Sequence, residues 1–425
     1  MAAVMQHASA YLERFSSSQA GRDWEPKWLR ERRELAMERF LRMGVPTPRD
    51  EEYKYTDLRS LSDGRFLLSP DEPGGHARPA HLAGQRIAAA CGDSLAVAGP
   101  APPGIRLMSL SEALVRGEPW LEDRLASVAS FERHALCALN TALFEDGIVI
   151  VAEAGADSTE PLHLEFGPGR VARLARVLVI AERSSRVTVV ETYSGLGEYW
   201  RNAVTEIHVS ENARVDHVRA QLESPRSFHT GVVQAAQERD SRMSSFSLSF
   251  GARVARNDIG TRLDGTGCDC SLDGLYAVRG HQLVDHHTGI DHAMPHCHSH
   301  QLYKGVLDGN ARGVFNGKIF VRRDAQKTDA VQSNKNLLLS DSAEVNTKPQ
   351  LEIDANDVRC THGATIGQLD ADAAFYLRSR GIGEAEARKL LTYAFATDAL
   401  DRVGVASLRE RFEALLLDRF APEAA

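Results

Sequence analysis

The feature that most constrains the fold of this chain is a long stretch, about residues 147–367, in which apolar and polar residues alternate. Segments such as GIVIVAEAGA, PLHLEF and ARVLVIAERSSRVTVVETY have a period of two. This period is typical of β-strands, because successive side chains point to opposite faces. Long helical patterns are absent from the stretch, which excludes an alternating α/β fold, and it is too long for a simple sandwich.

A weak internal repeat runs through the stretch, in which a small or polar turn residue precedes each alternating segment. The repeats begin about 25–30 residues apart, which suits the coils of a β-solenoid stacked in parallel. A histidine-rich insert gives one wider interval. A propeller is the alternative, but its blade period of about 40 residues and its WD signature are not found. The repeats begin at Ser185, Asn212, Arg242, Gly267, Asn310 and Ser342.

The sequence before this stretch is mostly helical in pattern. Apolar spacing near 3.6 predicts helices over Met5–Ser16, Glu25–Met43 and Ser109–Leu143, with Gly44 as a stop signal and Ser109 or Ser111 as a cap. The remaining segments of this part predict an ordered loop, a linker and strands, over Thr47–Leu58, Leu68–Gly84 and Gln85–Ala98 respectively.

Helical patterns return after residue 367. Helices are predicted over Ala371–Ser379, which Gly381 ends, over Glu384–Leu400, and over Leu408–Phe420 with Ser407 as its cap. The chain thus divides into an N-terminal part (1–146), a β core (147–367) and a C-terminal helical part (368–425). The last part either binds a partner or covers the end of the solenoid, and the pattern does not choose between the two.

Composition and missing motifs exclude several classes of function. A net charge of −8 argues against general nucleic-acid binding, which needs a basic face. The apolar runs are only as long as strands, so we expect no membrane partner. The N-terminus has no secretory pattern, and the six irregularly spaced cysteines form no disulfide framework. We therefore expect a cytoplasmic protein with free thiols. The string Gly313–Ile319 lacks the spacing and the hydroxyl of a P-loop, so we expect no bound ATP.

Seven of the 16 histidines lie between His281 and His300. On a strand, His296, His298 and His300 would share one face at about 7 Å spacing. One interpretation is a metal site, because imidazole binds Zn, Fe or Cu. The other, which the residues favour, is a polar outer face of one coil.

Cys360 and His362 lie two residues apart, so on a strand both point to the same side. Thiolate and imidazole together form half of an iron or zinc site. From the residues alone, a buried cysteine beside a hydrogen-bonded histidine is the favoured alternative. The pair Cys268 and Cys270 has the same spacing, but without a second such pair it is a weak metal signal.

The residues of the last coils resemble a known family. The string QLYKGVLDGNARGVFNGKIFVRRDAQKTDAVQSNKNLLLSDSAEVNTKPQLEI, followed by NDVRCTHGATIGQLD and FYLRSRGI, resembles the core of the SufB/SufD iron–sulfur cluster assembly family. The match covers about Gln301–Phe395, and the element Tyr53–Leu58 is similar to a short N-terminal element of that family. The strings KPQLEI and CTHG favour its SufD branch.

The resemblance implies a right-handed parallel β-helix between helical N- and C-terminal domains. It implies a SufB-like paralogue paired through the ends of the two β-helices, and a SufC-like ABC ATPase on the C-terminal helical region. The nascent cluster would form near the paired ends. The family's functional histidine falls on His362, with Cys360 beside it, so this pair would bind iron or a transient cluster shared with the partner.

The sequence therefore indicates a non-catalytic scaffold subunit for iron–sulfur cluster assembly. Isolated chains are expected to be able to pair with each other, because an open solenoid end is an unpaired sheet edge. Two alternatives remain. One is a β-helix enzyme that acts on polysaccharide, which would need clustered acids or a base on one face. The other is a metal-binding protein that uses the segment His281–His300.

Overall fold

The alternating segments form two parallel sheets that face each other across a common core. This computed structural model describes residues 2–68, 85–91, 94–97, 101–158, 160–167 and 173–420. Each coil contributes one strand to each sheet, so that the chain passes from one sheet to the other and back. The fold is mainly β, as predicted: a parallel β-solenoid flanked by helices.

Strand bounds follow the alternating pattern closely. One sheet, which we call the odd sheet because all its strands except β2 have odd numbers, contains β1 (Gln85–Cys91), β2 (Ser94–Val97), β5 (Leu162–Phe166), β7 (Arg186–Tyr193), β9 (Arg214–Gln221), β11 (Arg242–Ser249), β13 (Asp269–Val278), β15 (His298–Leu307), β17 (Asp329–Leu338) and β19 (Arg359–Gly367). The other, which we call the even sheet because all its strands except β3 have even numbers, contains β3 (Ile105–Ser109), β4 (Ile148–Ala152), β6 (Arg176–Ala181), β8 (Trp200–Val209), β10 (Phe228–Gln237), β12 (Val254–Leu263), β14 (Leu283–His292), β16 (Arg312–Val321) and β18 (Glu344–Ile353).

The coil length is regular, including the histidine-rich part. Successive odd strands begin at Arg214, Arg242, Asp269, His298 and Asp329, so that each coil takes 27 to 31 residues. The expected insert is therefore wrong: His281–His300 belongs to an ordinary coil made of β14, a turn and β15. The wider interval arose because the last two repeats, at Asn310 and Ser342, precede even strands, whereas the earlier repeats precede odd strands.

The interior is filled by side chains that stack from coil to coil. Register is unbroken between neighbouring strands such as β12 and β14, so inward residues lie directly above one another. Val, Ile, Leu, Ala and Phe make up most of this column. Stacking of identical coils satisfies the backbone hydrogen bonds between coils and buries one continuous apolar core.

Helices cover the outer face of the even sheet. They are α1 (Ala2–Gln19), α2 (Lys27–Met43), α3 (Arg65–Leu68), α4 (Leu110–Arg116), α5 (Leu121–Arg124) and α6 (Ala135–Leu143). Apolar residues of α2 and α6, such as Phe40 and Leu139, share a buried cluster with Leu178 and Trp200 of the sheet. The Ser109 hydroxyl accepts a hydrogen bond from the Glu112 amide at 3.0 Å, which confirms it as a cap. Residues 69–84 of the predicted linker lie outside the described residues.

The C-terminal helices cover the outer face of the odd sheet. They are α7 (Ala371–Ser379), α8 (Glu384–Leu400) and α9 (Ala406–Arg419). The ring of Phe412 stacks on that of Phe246 at 6.1 Å, and Leu400 joins the same cluster. The interpretation of this part as a cover for the solenoid end is therefore wrong. Ser407 is not the cap of α9 either, because it lies inside the first turn after Val405.

The two ends of the solenoid differ. At the first end, which we call the closed end, β3 pairs antiparallel with β4, and β1 pairs antiparallel with β2. At the other, the open end, β18 and β19 are the last strands of their sheets, and no described strand pairs with their outer edges. No helix within the described ranges is long and apolar enough to cross a membrane.

Candidate functional site at the open end

Cys360 and His362 lie on the terminal strand β19, as near to the open end as the solenoid allows. Cys360 pairs in register with Ala330 of β17, and His362 pairs with Gln332. Ala330 and Gln332 are both buried side chains of the preceding coil. The two candidate ligands therefore continue the inward column of the odd sheet, at the level where no further coil covers it.

The two side chains differ in exposure. Cys360 is half-buried and packs against the main core, whereas His362 is exposed. Burial, with a smaller contribution from the charge of Asp329, raises the pKa of the Cys360 thiol. A thiol with a raised pKa stays protonated at neutral pH, and it becomes a good ligand only when a metal ion or another positive charge arrives. The Cys360 thiol therefore keeps its proton until a positive charge approaches it.

A buried amide, that of Gln332, lies in register with His362 one coil below it. The Gln332 Nε2 atom donates a hydrogen bond to Gln301 Oε1, while Gln332 Oε1 is buried without a partner. Gly317 leaves space for this side chain, since a Cβ there would lie 2.3 Å from Gln332 Nε2. An unused acceptor beneath an imidazole can fix its tautomer and its orientation, as outer partners do for metal-binding histidines.

The pair does not complete a metal site by itself. In the part of the chain that the structure describes, no cluster of three or more His, Cys, Asp or Glu side chains could hold a metal ion. The amide of Arg359 donates to the oxygen of Thr328, the residue before β17. By the alternation of a parallel ladder, the amides at the free edge are those of Cys360, His362, Ala364 and Ile366. Any further metal ligand for this pair would therefore come from outside the described residues.

The histidines of His281–His300 do not converge. His286 and His292 point into the core, and burial lowers the pKa of the first to about 3 and of the second to about 4, so both are neutral. His298 and His300 lie on the outer face of β15, but His296 lies in the preceding turn with φ 60° and not on the strand. The predicted common face therefore holds two of the three histidines, His298 and His300.

Cys268 and Cys270 do not share a strand face either. β13 begins at Asp269, so Cys268 lies in the turn before it. Its neighbour is instead Cys297, one coil further on. Both sulfur atoms approach the Gly265 carbonyl oxygen, at 3.1 and 3.3 Å. In the sequence, the signal for the pair Cys268 and Cys297 is their separation by one coil length. That signal can be interpreted only once the register of the coils is known.

Comparison with known proteins identifies the family. The family described as "SUF system FeS cluster assembly, SufBD core domain" matches residues 167–395, and the SufBD protein N-terminal region matches residues 5–72. The chain belongs to the SufB/SufD family. This membership agrees with the resemblance found in Gln301–Phe395 and in Tyr53–Leu58.

Relatives within the SufB/SufD family extend over much of the chain. It is 30% identical to the iron–sulfur cluster assembly protein SufD of Escherichia coli over 387 residues, 88% of this chain and 89% of the relative. It is 27% identical to SufD of Bacillus subtilis, over 67% of each chain. An iron–sulfur cluster assembly SufBD family protein of Synechocystis is 38% identical, but the match spans 64% of this chain and 63% of that protein.

Proposed function

We propose that the chain is a non-catalytic scaffold subunit that supports iron acquisition and cluster formation at an interface with a SufB-like paralogue. In this proposal it works in the cytoplasm, within a complex that contains a SufC-like ATPase. The observation that carries it is the position of Cys360 and His362 on a terminal strand whose outer edge is unpaired among the described strands. A half-site at an unpaired edge has a use only when a second chain completes it.

The chemistry of the half-site suits a cargo that must be released. Iron or a nascent cluster would be the substrate of the site, shared between the two chains. His362 would offer a nitrogen ligand, and Cys360 a thiolate once the metal displaces its proton. A mixed nitrogen and sulfur ligand set split between two chains exchanges more readily than a closed four-thiolate site, because separation of the chains removes ligands together.

The C-terminal helices supply a surface for the ATPase. In α7, Phe375 is 71% exposed and Tyr376 is 57% exposed, which is unusual for aromatic side chains of a soluble protein. Neighbouring aromatic side chains of this kind are typical of the centre of a protein interface. The sequence contains no P-loop, so ATP hydrolysis in the complex would belong to the partner.

The substitution His362→Ala tests the proposal. We expect the variant to fold and to co-purify with its paralogue and ATPase, because His362 is exposed and lies outside the main apolar core of the described residues. Cluster formed per complex should fall about tenfold or more, as expected for loss of one ligand at a shared site. The measurement is iron and sulfide content together with the visible absorption of the reconstituted complex.

The matched control is His298→Ala, which removes another exposed histidine from the outer face of β15. Its complex should assemble clusters at the level of the unmodified protein. Normal iron content and cluster formation in the His362→Ala complex would refute the proposed role of His362. Failure of the unmodified chain to bind a paralogous β-helix subunit would refute the scaffold role itself.

A further inference from the structure

A groove lies at one corner of the solenoid, where the chain passes from the odd sheet to the even sheet. It has a volume of about 590 Å³ and is bounded by the turns after β9, β11 and β13 and by the C-terminal end of α9. Pro225 and Phe250 form its apolar walls. The volume lies within the range of small-molecule binding sites.

The groove is lined by arginine side chains that lack acidic partners. Arg253, Arg279 and Arg419 line it, together with the imidazole of His281. Among the described residues, no ion pair involves any of these three arginines. The opposite corner of the solenoid differs, because Arg183 and Arg239 there both reach the same Glu211 carboxylate.

Two of the guanidinium groups are held together despite their like charge. Arg279 Nη1 donates a hydrogen bond to the backbone oxygen of Arg419 at 3.2 Å. Arg419 in turn bonds to the Gln282 side chain and lies over the ring of Phe250. Burial and the neighbouring charge of Arg279 lower the pKa of Arg419 to about 10, which still leaves it protonated at neutral pH. Its Nε atom is buried and has no partner.

The one carboxylate among the described lining residues does not neutralise this charge. Glu223 accepts hydrogen bonds from Arg201 at 2.7 Å and from His229 at 2.6 Å, and a third from Gln221 at 3.0 Å. All of these contacts lie within the solenoid, and the Glu223 side chain is fully buried. The groove is therefore a local concentration of positive charge on a protein whose net charge is −8.

We propose that this groove binds a small anion that carries a phosphate group. Arginine side chains match phosphate oxygens with paired N–H donors, and an anion between Arg253, Arg279 and Arg419 would relieve the repulsion among them. The volume exceeds what a phosphate group needs, and Pro225 and Phe250 offer an apolar wall for an organic substituent. This site is separate from the candidate iron site at the open end.

The test is calorimetric titration of the full chain at physiological ionic strength with three probes: inorganic phosphate, pyrophosphate and phenyl phosphate. We expect saturable binding of at least one of them. The double variant Arg253→Ala, Arg279→Ala should bind at least about tenfold more weakly, because two phosphate partners are lost. Both side chains are exposed, so the variant should unfold at the same temperature as the unmodified chain. Thermal unfolding of both proteins verifies that the variant is folded.

The control variant is Arg239→Ala at the opposite corner, which should change binding less than about twofold. Tighter binding of phenyl phosphate than of phosphate supports an organic phosphate as ligand, and equal binding supports the free inorganic anion. If none of the three probes shows saturable binding, the proposal is overturned. An equal loss in the Arg239→Ala variant would also overturn it, because the affinity would then come from general charge. If the double variant unfolds early, Arg279→Gln alone replaces it in the same comparison.

Discussion

The closed and open ends of the solenoid are built from the same repeating coil, yet they finish it in opposite ways. At the closed end, antiparallel strands complete both sheets, and helices α2 and α6 bury the outer face of the even sheet. At the open end, nearly every residue of β19 is exposed, and Ile353 and Ile366 are 39% and 51% exposed. The difference teaches that the chain pairs the terminal strands at one end by itself and, among the described residues, leaves the terminal strands at the other end unpaired.

Polar groups follow the same division. Near the closed end, the Glu206 carboxylate accepts hydrogen bonds from the amides of Ala126, Val128 and Ala129 and pairs with Arg176. Both charged side chains of this pair are buried. At the open end, Arg359 reaches Asp329 at 3.8 Å, but the arginine side chain is 84% exposed. Buried ions must be satisfied within the chain, whereas exposed ions are satisfied by water or by a partner.

Arg176→Ala should therefore have the largest effect of the substitutions proposed for the two ends. It leaves the Glu206 charge buried with its backbone donors but without its counter-ion, which costs about 3–5 kcal/mol of unfolding free energy. The same change at the open end, Arg359→Ala, should cost at most about 1 kcal/mol. Chemical denaturation of both variants, read by far-UV circular dichroism, measures the two effects. Equal losses would contradict the division between a closed and an open end.

The free edge of β19 can be blocked without disturbing its pairing inside the chain. The Ala364 amide points away from β17, so Ala364→Pro removes a donor from the outer edge. We expect association with the paralogous subunit to weaken about tenfold to a hundredfold if the ends pair as strands. Surface plasmon resonance with the purified partner measures this loss.

Ala364→Ser is the matched control for the proline variant, because it changes the side chain and keeps the amide. It should bind the partner like the unmodified chain. The proline variant should also keep its melting temperature, since the ladder to β17 uses the alternate residues. Undiminished binding by Ala364→Pro would show that the open end does not pair through its backbone edge.

Local patterns in the sequence predicted most of the fold. The period of two predicted the strands, and α7 begins and ends at the predicted residues Ala371 and Ser379. The placement of the C-terminal helices could not be predicted, because an apolar stripe shows that a face is buried but not what covers it. The outer face of the odd sheet is revealed only by register, which local pattern does not give.

The candidate site was predictable in part for the same reason. Spacing placed Cys360 and His362 on one side of a strand, and the resemblance indicated their chemistry. That this strand is the last of its sheet follows only from the stacking of all the coils. The histidine-rich segment shows the opposite case, since local density suggested a cluster while the alternation of β14 sends His286 inward and His287 outward.

One segment of the N-terminal part reaches along the even sheet towards the open end. Lys318 of β16 binds the Glu52 carboxylate at 2.5 Å, and Lys348 of β18 binds Glu51 at 3.2 Å. Thr56 bonds to Asp285 of β14. The N-terminal part that completes the closed end is therefore also tied to the last coils, through residues 51–56.

His287 lies at the centre of this contact and makes it dependent on pH. Its two ring nitrogens lie 3.2 Å from Glu52 Oε2 and 3.2 Å from Asp285 Oδ1, with Arg256, Asp258 and Lys318 also facing the contact. Burial opposes protonation of the ring, but Asp285 and Glu52 outweigh it and raise the pKa of His287. Hydrogen bonds from His287 and Lys318 lower the pKa of Glu52 to about 2 despite its partial burial.

The smallest expected effect is the loosening of residues 51–56 as the pH rises through the raised pKa of His287. A raised pKa in the folded state means that the contribution of His287 is fully present below its ordinary pKa and is lost as the pH rises through the raised value. We expect the docked segment to lose about 1 kcal/mol over that range. Hydrogen exchange of the Tyr53–Thr56 amides, corrected for the intrinsic rate at each pH, measures it. His287→Gln should be looser below the raised pKa of His287 and should lose the pH dependence, because a neutral amide brings no positive charge to the two carboxylates and does not titrate. If the variant keeps the same pH profile, another group must control the contact between the closed end and the last coils.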